Sequence, residues 1–250
     1  MEQQNQDSIT RVSRQNGLSP VVLVCEHAAH HIPTELGTLG LSDEARFSHI
    51  AWDPGALGVA RAMSEVLDAT LVAASVSRLV YDCNRPPEAP DAMPAKSEAF
   101  EVPGNVALSD ASRQARVSQY YEPFRKTLSG EIARKDKAVI VTIHSFTPIY
   151  HGAKRDVEIG ILHDTDQRFA DVLLDVADGF NVQRNAPYGP EDGVTHTLRL
   201  HAISHGHLNV MIEIRNDLIQ TEAAQLAMGQ KLADWVAQAL QKTMADPCKR

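Results

Sequence analysis

The chain has 250 residues, and 24 lysines and arginines against 32 aspartates and glutamates give it a formal net charge of −8 at pH 7. Hydrophobic residues make up 43% and charged residues 22%, so the composition excludes a wholly disordered chain. The acidic balance, without a cluster of basic residues, argues against nucleic acid as a partner. No apolar run reaches the ~20 residues of a membrane helix, and no basic-then-apolar leader opens the chain, so no membrane partner is expected.

Cysteine and histidine usage is more informative. The three cysteines, Cys25, Cys83 and Cys248, are scattered and form no CxxC motif. Such usage is typical of a reducing compartment, so we expect a cytoplasmic protein. Eleven histidines are the unusual feature of the composition, and most of them stand close to glycine, proline or acidic residues. No pattern specifies an oligomeric state.

The predicted elements alternate between strands and helices. Residues 1–18 are polar and aperiodic and predict a flexible N-terminus ahead of a single domain over residues 19–250. Short apolar, β-branched runs predict strands over residues 21–25, 70–76, 138–143, 157–162, 181–184 and 208–214. Helical spacing and capping residues predict helices over residues 42–49, 56–67, 110–136 with an interruption near Pro123, 167–178 and 221–243. A proline-rich segment over residues 82–104 predicts a long functional loop.

This order predicts an α/β fold, a three-layer α/β/α sandwich around a mostly parallel mixed sheet. Ligands of such sheets bind beyond the carboxyl ends of the strands. His27 follows the first predicted strand, while His144 and His163 end or follow two later ones, and Glu213 lies near the end of the last. We therefore expect these side chains at one edge of the sheet.

A hydrolytic zinc site needs three protein ligands, usually histidines with one carboxylate, and a nearby carboxylate that takes the proton from water. His27, Asp53 and His144 can supply the ligands and Glu213 the base. Hydrolysis needs no redox change and no thiolate is placed nearby, which favours Zn²⁺ over iron or copper. The chain has no HExxH motif, and it lacks the GxSxG, GxxxxGK[ST] and GxGxxG motifs of other enzyme classes.

Each of these residues also has a structural interpretation. A histidine at a strand end is more often hydrogen-bonded than bound to a metal. Asp53, which precedes Pro54 and Gly55, is typical of a helix N-cap. Glu213 stands in an apolar strand and needs a partner, which is either a metal site or Arg215 on the same face of the strand.

Other polar residues are candidates for substrate contacts. Arg78, Arg85 and Arg215 suit carboxylate binding because a guanidinium offers paired donors. Asn84 stands beside Arg85 at the start of the proline-rich segment. His196, in a turn-rich stretch before a helix, is a candidate donor to a developing oxyanion.

Six short segments resemble, in this order, the N-formylglutamate amidohydrolase family. They are VLVCEHAAHHIP (22–33), WDPGA (52–56), SRLVYDCNRP (77–86), TIHSF (142–146), GVTHTL (193–198) and NVMIEIRNDLI (209–219). The first segment reads Glu26-His27-Ala28 where family members tend to read Pro-His-Ser-Gly, so the chain resembles a divergent branch and Glu26 is an alternative ligand. The family is more remotely similar to zinc carboxypeptidases and zinc-dependent N-acetylmuramoyl-L-alanine amidases.

The resemblance implies Zn²⁺ on His27, Asp53 and His144, with Glu213 as general base. It implies a small N-acyl amino acid as substrate, with N-formyl-L-glutamate hydrolysed to formate and L-glutamate, in amino-acid catabolism such as histidine degradation. Two alternatives stay open: a zinc-dependent peptidase or cell-wall amidase, and a non-catalytic binding protein on the same fold.

Overall fold

The structure, a computed structural model, describes residues 9–245. Its strands are β1 (Thr10–Ser13), β2 (Val21–Cys25), β3 (Thr70–Ala74), β4 (Lys96–Ser97), β5 (Phe100–Glu101), β6 (Val139–Phe146), β7 (Ile149–Tyr150), β8 (Ala153–Lys154), β9 (Ile159–Leu162), β10 (Val182–Arg184) and β11 (Leu208–Arg215). Its α-helices are α1 (Asp43–Phe47), α2 (Ala56–Leu67), α3 (Asp110–Arg116), α4 (Glu122–Ala133), α5 (Arg168–Val176), α6 (His196–His201) and α7 (Glu222–Ala245).

Seven strands form one sheet in the order β1-β3-β2-β6-β11-β9-β10. Strands β3, β2, β6 and β11 run parallel, β1 lies antiparallel to β3, and the pair β9–β10 runs antiparallel to β11. Helices α2, α5 and α7 pack on one face of the sheet, and α4 and α6 on the other. The predicted three-layer α/β/α sandwich with a mostly parallel mixed sheet is confirmed. No helix within residues 9–245 combines the length and apolar character needed to cross a membrane.

Alternation along the central strands sorts side chains between the two cores. In β2 the residues facing α2 and α7 are Val21, Leu23 and Cys25, and those facing α4 are Val22 and Val24. Ile140 of β6 and Met211 of β11 belong to the same core, on the side of the sheet covered by α4 and α6. Because side chains repeat every second residue, His144 and Glu213 point to the same side as Ile140 and Met211, at the carboxyl ends of β6 and β11.

The structure corrects one predicted element and defines another more closely. Thr10–Ser13, assigned to the flexible N-terminus, forms an edge strand on β3; its pairing uses backbone groups, so the polar sequence gave little sign of it. Residues 1–8 of that prediction lie outside the described residues. The predicted interruption near Pro123 is present as the π-helical turn Val117–Tyr121, which joins α3 to α4, and Pro123 lies in the first turn of α4.

The direction of β9 also differs from the expectation. Ile159 pairs with Ile214 and Leu162 with Met211, so β9 runs opposite to β11. His163 therefore follows β9 at the edge of the sheet opposite to His144. An antiparallel strand buried on both faces has the same apolar sequence as a parallel one, so its direction could not be predicted from residue type.

The closing helix α7 packs tightly on α2. A Cβ placed on Gly229 would lie 2.4 Å from Ala62 Cβ and 2.8 Å from the carbonyl oxygen of Val59. The absence of a side chain at Gly229 thus allows the two helices to approach. This contact anchors α2, whose first turn follows the segment that carries Asp53.

We expect Gly229→Ala to lower the free energy of unfolding by about 1–3 kcal/mol, because the added methyl group overpacks the α2–α7 contact. Gly130→Ala is the matched control: Gly130 is exposed in α4 with no atom within 4 Å of a Cβ, and the change should stabilise by about 0.5–1 kcal/mol. Denaturant unfolding measures both. Equal effects of the two substitutions would contradict the tight contact.

Candidate metal centre

Three buried side chains bring their donor atoms together at the carboxyl ends of β2 and β6. Asp53 Oδ2 lies 3.3 Å from His27 Nδ1 and 2.9 Å from His144 Nδ1, and the two Nδ1 atoms are 3.2 Å apart. All three residues are at most 3% exposed. They are the one group of histidine, cysteine and acidic side chains within residues 9–245 that is arranged to hold a metal ion.

The fold fixes each of these residues through the backbone. His27 and His144 belong to neighbouring parallel strands or their ends, and the Asp53 amide donates to the carbonyl of His27 at 2.9 Å. Asp53 is not the helix cap that its sequence position suggests. Gly55, with φ of 84°, is the N-cap of α2, and the Asp53 carboxylate instead accepts from the amide of Ser145 at 3.2 Å.

The far nitrogen of each histidine meets a further buried carboxylate. His27 Nε2 lies 2.7 Å from Asp82 Oδ1, and His144 Nε2 lies 3.1 Å from Glu26 Oε2. For His27, donation from Nε2 to Asp82 leaves the Nδ1 lone pair free, which is the arrangement that orients histidine ligands of metals. His144 Nε2 and Glu26 Oε2 lie within ion-pair distance but make no hydrogen bond. Glu26 is therefore placed behind His144 and not at the convergence of the three donors.

Asp82 and the position of Glu26 were missed from sequence, although a signal existed. Glu26 directly follows the apolar run of β2, and Asp82 directly follows Leu79, Val80 and Tyr81. An acidic residue beside such a run is buried at a cost unless it is paired. The same reasoning singled out Glu213.

These contacts shift the ionisation of the whole group. Burial disfavours ionised Asp53, but His27 and His144 outweigh it and hold the pKa of that carboxyl far below its ordinary value. Burial likewise opposes protonation of His144, but Glu26 and Asp53 raise the pKa of its imidazole well above the usual range. The pKa of Asp82 is lowered in spite of burial by His27 and Arg78. The carboxylates next to the histidines are thus ionised at neutral pH.

Glu213 pairs in register with His144 on the neighbouring strand. It is 5% exposed, and burial raises its pKa to about 7. Its predicted structural partner, Arg215, does not contact it. The Arg215 side chain instead lies against Asp217 and Glu158 and donates to the carbonyl of Arg155 at 3.2 Å. Glu213 therefore has the raised pKa that suits a general base near neutral pH.

A cavity of about 400 Å³ opens over these residues. Its lining includes the triad, Glu213, Arg78, Asn84 and Arg85. Arg78 Nη2 lies 2.7 Å from Asp82 Oδ2 and its Nη1 lies 3.6 Å from Asp53 Oδ1. Arg215 is not part of the lining.

The comparisons with known proteins identify the chain's relatives. The sequence profile of N-formylglutamate amidohydrolase matches residues 19–220, which is well over half of the chain. The chain belongs to the N-formylglutamate amidohydrolase family. The resemblance read from the six segments is confirmed.

Two solved structures share the fold of this family member. The chain is 55% identical to a gene product of Agrobacterium tumefaciens, with a TM-score of 0.94 over 96% of this chain and 97% of the other. It is 18% identical to N-formylglutamate amidohydrolase from Ralstonia eutropha, with a TM-score of 0.67 over 94% of this chain and 98% of the other. No curated protein matches the chain.

His196 is not brought to the cavity of this family member. Its Nε2 lies 2.8 Å from Tyr121 Oη, and burial lowers the pKa of its imidazole. Asn84 lines the cavity, but its side chain donates to the carbonyl of Val194 at 2.6 Å and accepts from the amide of Thr197 at 3.0 Å. Asn84 thus holds the neighbouring loop in place.

We expect Glu213→Gln to raise the free energy of unfolding of metal-free protein by about 1–3 kcal/mol at pH 8. A carboxyl whose pKa is raised in the folded state makes the protein less stable as the pH rises from about 4.3, the pKa of an unfolded glutamate, to about 7, and the neutral amide avoids that loss. The gain should shrink below about 1 kcal/mol at pH 5. Denaturant unfolding in the presence of a chelator measures it.

Glu65→Gln is the control, because Glu65 is exposed on α2 and should leave stability unchanged at both pH values. A Glu213→Gln protein no more stable than wild type at pH 8 would contradict the raised pKa.

Proposed function

We propose that this family member is a metal-dependent amidohydrolase that cleaves the amide bond of a small N-acyl amino acid. The proposed substrate is N-formyl-L-glutamate, which gives formate and L-glutamate. One observation carries the proposal: the side chains of His27, Asp53 and His144 converge on one point beside the buried carboxyl of Glu213, within a cavity.

The donor set fits a divalent cation such as Zn²⁺. Its three atoms form a triangle with edges of 3.3, 2.9 and 3.2 Å. Tetrahedral zinc, with ligands at roughly 2.0–2.1 Å, needs ligand atoms about 3.3 Å apart. Two nitrogens with one carboxylate oxygen are a usual set for hydrolytic zinc. His27 has the hydrogen-bonded carboxylate partner that such ligands need, and Glu26 lies within ion-pair distance of His144. When bound, the cation supplies Lewis acidity toward the amide carbonyl and toward water.

Glu213 is the proposed general base and general acid of the reaction. Its carboxylate accepts a proton from the water that attacks the acyl carbon, and it then delivers that proton to the departing amine nitrogen. Burial raises the pKa of this carboxyl above its ordinary value, which makes its carboxylate a stronger proton acceptor than an exposed glutamate. Glu213 lies opposite His144, a proposed metal ligand, in the register of β11 and β6.

Arg78 and Arg85 are proposed to bind the substrate carboxylates. Both line the cavity, and Arg78 reaches it from beside the triad. Arg85 is anchored by Asp91 at 2.6 Å and by the carbonyl of Gly193 at 3.0 Å, so it forms a fixed wall. A cavity of about 400 Å³ suits a small acylated amino acid.

The central test combines metal content with turnover. We expect purified protein supplied with Zn²⁺ to bind one equivalent and to hydrolyse N-formyl-L-glutamate. Glu213→Gln should lower kcat by about 10³-fold or more, because the proton has no acceptor, while the bound metal stays at one equivalent. Protein without stoichiometric metal, or an active Glu213→Gln variant, would contradict the proposal.

A substrate panel separates the proposal from its rivals. N-formyl, N-acetyl and N-succinyl amino acids, dipeptides and a muramoyl peptide are compared by kcat/KM. Preference for a dipeptide or the muramoyl peptide would favour a peptidase or cell-wall amidase. Metal binding without turnover of any substrate would favour a binding protein on the same fold.

The carboxylates behind the histidines lead to a separate expectation. Asp82→Asn removes the charge that orients His27 and raises its basicity, so the Zn²⁺ dissociation constant should rise about 10- to 100-fold. Competition with a chromophoric chelator measures it. Glu131→Gln, a matched change of a buried carboxyl that bonds to Gln15, should leave Zn²⁺ affinity unchanged. Equal affinity of Asp82→Asn and wild type would remove Asp82 from the site.

A further inference from the structure

We propose that Tyr188 is a further catalytic residue of this site, whose hydroxyl donates a hydrogen bond to the oxyanion that develops on the acyl carbonyl of the substrate. The inference rests on the proposed amide hydrolysis. It gives Tyr188 the role of oxyanion donor that was predicted for His196. Tyr188 lines the same cavity as His144 and Glu213.

The backbone carries Tyr188 to the Glu213 side of the cavity. Gly160 of β9 lies opposite Glu213 in the β9–β11 pairing. A Cβ on Gly160 would lie 1.9 Å from the carbonyl oxygen of Ala186, so only glycine lets the segment before Tyr188 approach β9 this closely. The amide of Asn185 donates to the carbonyl of Ile161 at 3.1 Å. The segment leading to Tyr188 is thus fixed on the strand next to Glu213.

Arg155 determines where the Tyr188 hydroxyl directs its proton. Arg155 Nη2 donates to Tyr188 Oη at 3.1 Å. Since this bond uses the oxygen as acceptor, the O–H hydrogen is free for another partner. Within residues 9–245 Tyr188 donates to no acceptor, which leaves the cavity side for a ligand oxygen.

Arg155 is itself held in place. Its Nη1 donates to the carbonyl of Thr147 at 3.2 Å, and its guanidinium stacks over the rings of Tyr150 and Tyr188 at 4.4 and 5.0 Å. Arg215 donates to the Arg155 carbonyl. Arg155 is therefore a positioning residue for the Tyr188 hydroxyl, and Arg215 supports the segment that carries it.

The hydroxyl stays protonated under working conditions. Burial and the charge of Glu213 raise the pKa of Tyr188, although Arg155 opposes them. Arg78, which also lines the cavity beside the triad, faces the carboxylates of Asp82 and Asp53 and is proposed to bind a substrate carboxylate, so it is not assigned to the carbonyl oxygen. A neutral phenol adds no charge to the ground state and gains strength as negative charge develops on the carbonyl oxygen.

Tyr188→Phe tests the proposal because it removes the hydroxyl and keeps the ring. In zinc-loaded protein we expect kcat for N-formyl-L-glutamate to fall about 10²-fold, with KM within threefold of wild type and one equivalent of metal retained. A phosphonate analogue of the tetrahedral intermediate should bind about 10²-fold more weakly, whereas L-glutamate should bind as to wild type. Arg155→Met should also lower kcat, because the Tyr188 hydroxyl loses the residue that positions it.

Tyr120→Phe is the control, because it removes a hydroxyl that bonds to Glu35 and should leave kcat unchanged. A Tyr188→Phe kcat within threefold of wild type, or a loss confined to KM and to L-glutamate binding, would overturn the oxyanion role while leaving the proposed hydrolysis intact. A wild-type protein without turnover would instead overturn the proposed function.

Discussion

The site depends on burying several carboxylates at one edge of the sheet. An ionised carboxylate taken out of water is costly unless a cation or hydrogen-bond donor lies beside it. The structure satisfies this by alternating acids and imidazoles in a chain of contacts that runs Glu26, His144, Asp53, His27 and Asp82. Arg78 ends the chain at Asp82. The acids outnumber the fixed positive charges, so a divalent cation at the centre would balance the group.

Strand pairing makes this chain of contacts possible. Because β2, β6 and β11 are parallel neighbours, residues two apart share a face, and the last inward positions of adjacent strands lie side by side. Glu26, His144 and Glu213 occupy those positions. A register shift of one residue would turn His144 and Glu213 into the opposite core. The hydrophobic alternation that fixes the sheet therefore also fixes the relative positions of these three side chains.

The layers, most strands and the proposed ligands were predictable because they follow from local apolar runs and from the residues that directly end them. Contacts between residues that are distant in the sequence were not predictable. Asp82 is 55 residues away from His27, its hydrogen-bond partner. The direction of β9 could not be predicted either, because a strand that is apolar on both faces has the same sequence pattern in both orientations. Arg215 was assigned to substrate on residue type alone, yet carbonyl groups of residues 155–157 on an adjacent segment accept its hydrogen bonds. Residue type identifies candidate substrate-binding side chains, but the hydrogen-bond partners in the folded protein determine which of them are available.

Hydrogen bonds hold Asn84 and Arg85 in place in the wall of the cavity. Arg85 bonds to the Gly193 carbonyl, and Asn84 bonds to Val194 and Thr197, so the proline-rich segment is tied to the loop before α6. Such ties cost conformational freedom once, during folding, and not again at each binding event. Under the proposed function, Arg85 would therefore be part of a preformed wall and would have little freedom to follow a substrate of different length. Changes in acyl group and amino acid would be accommodated at the triad side only if the carbonyl still reaches the point where the three donors converge.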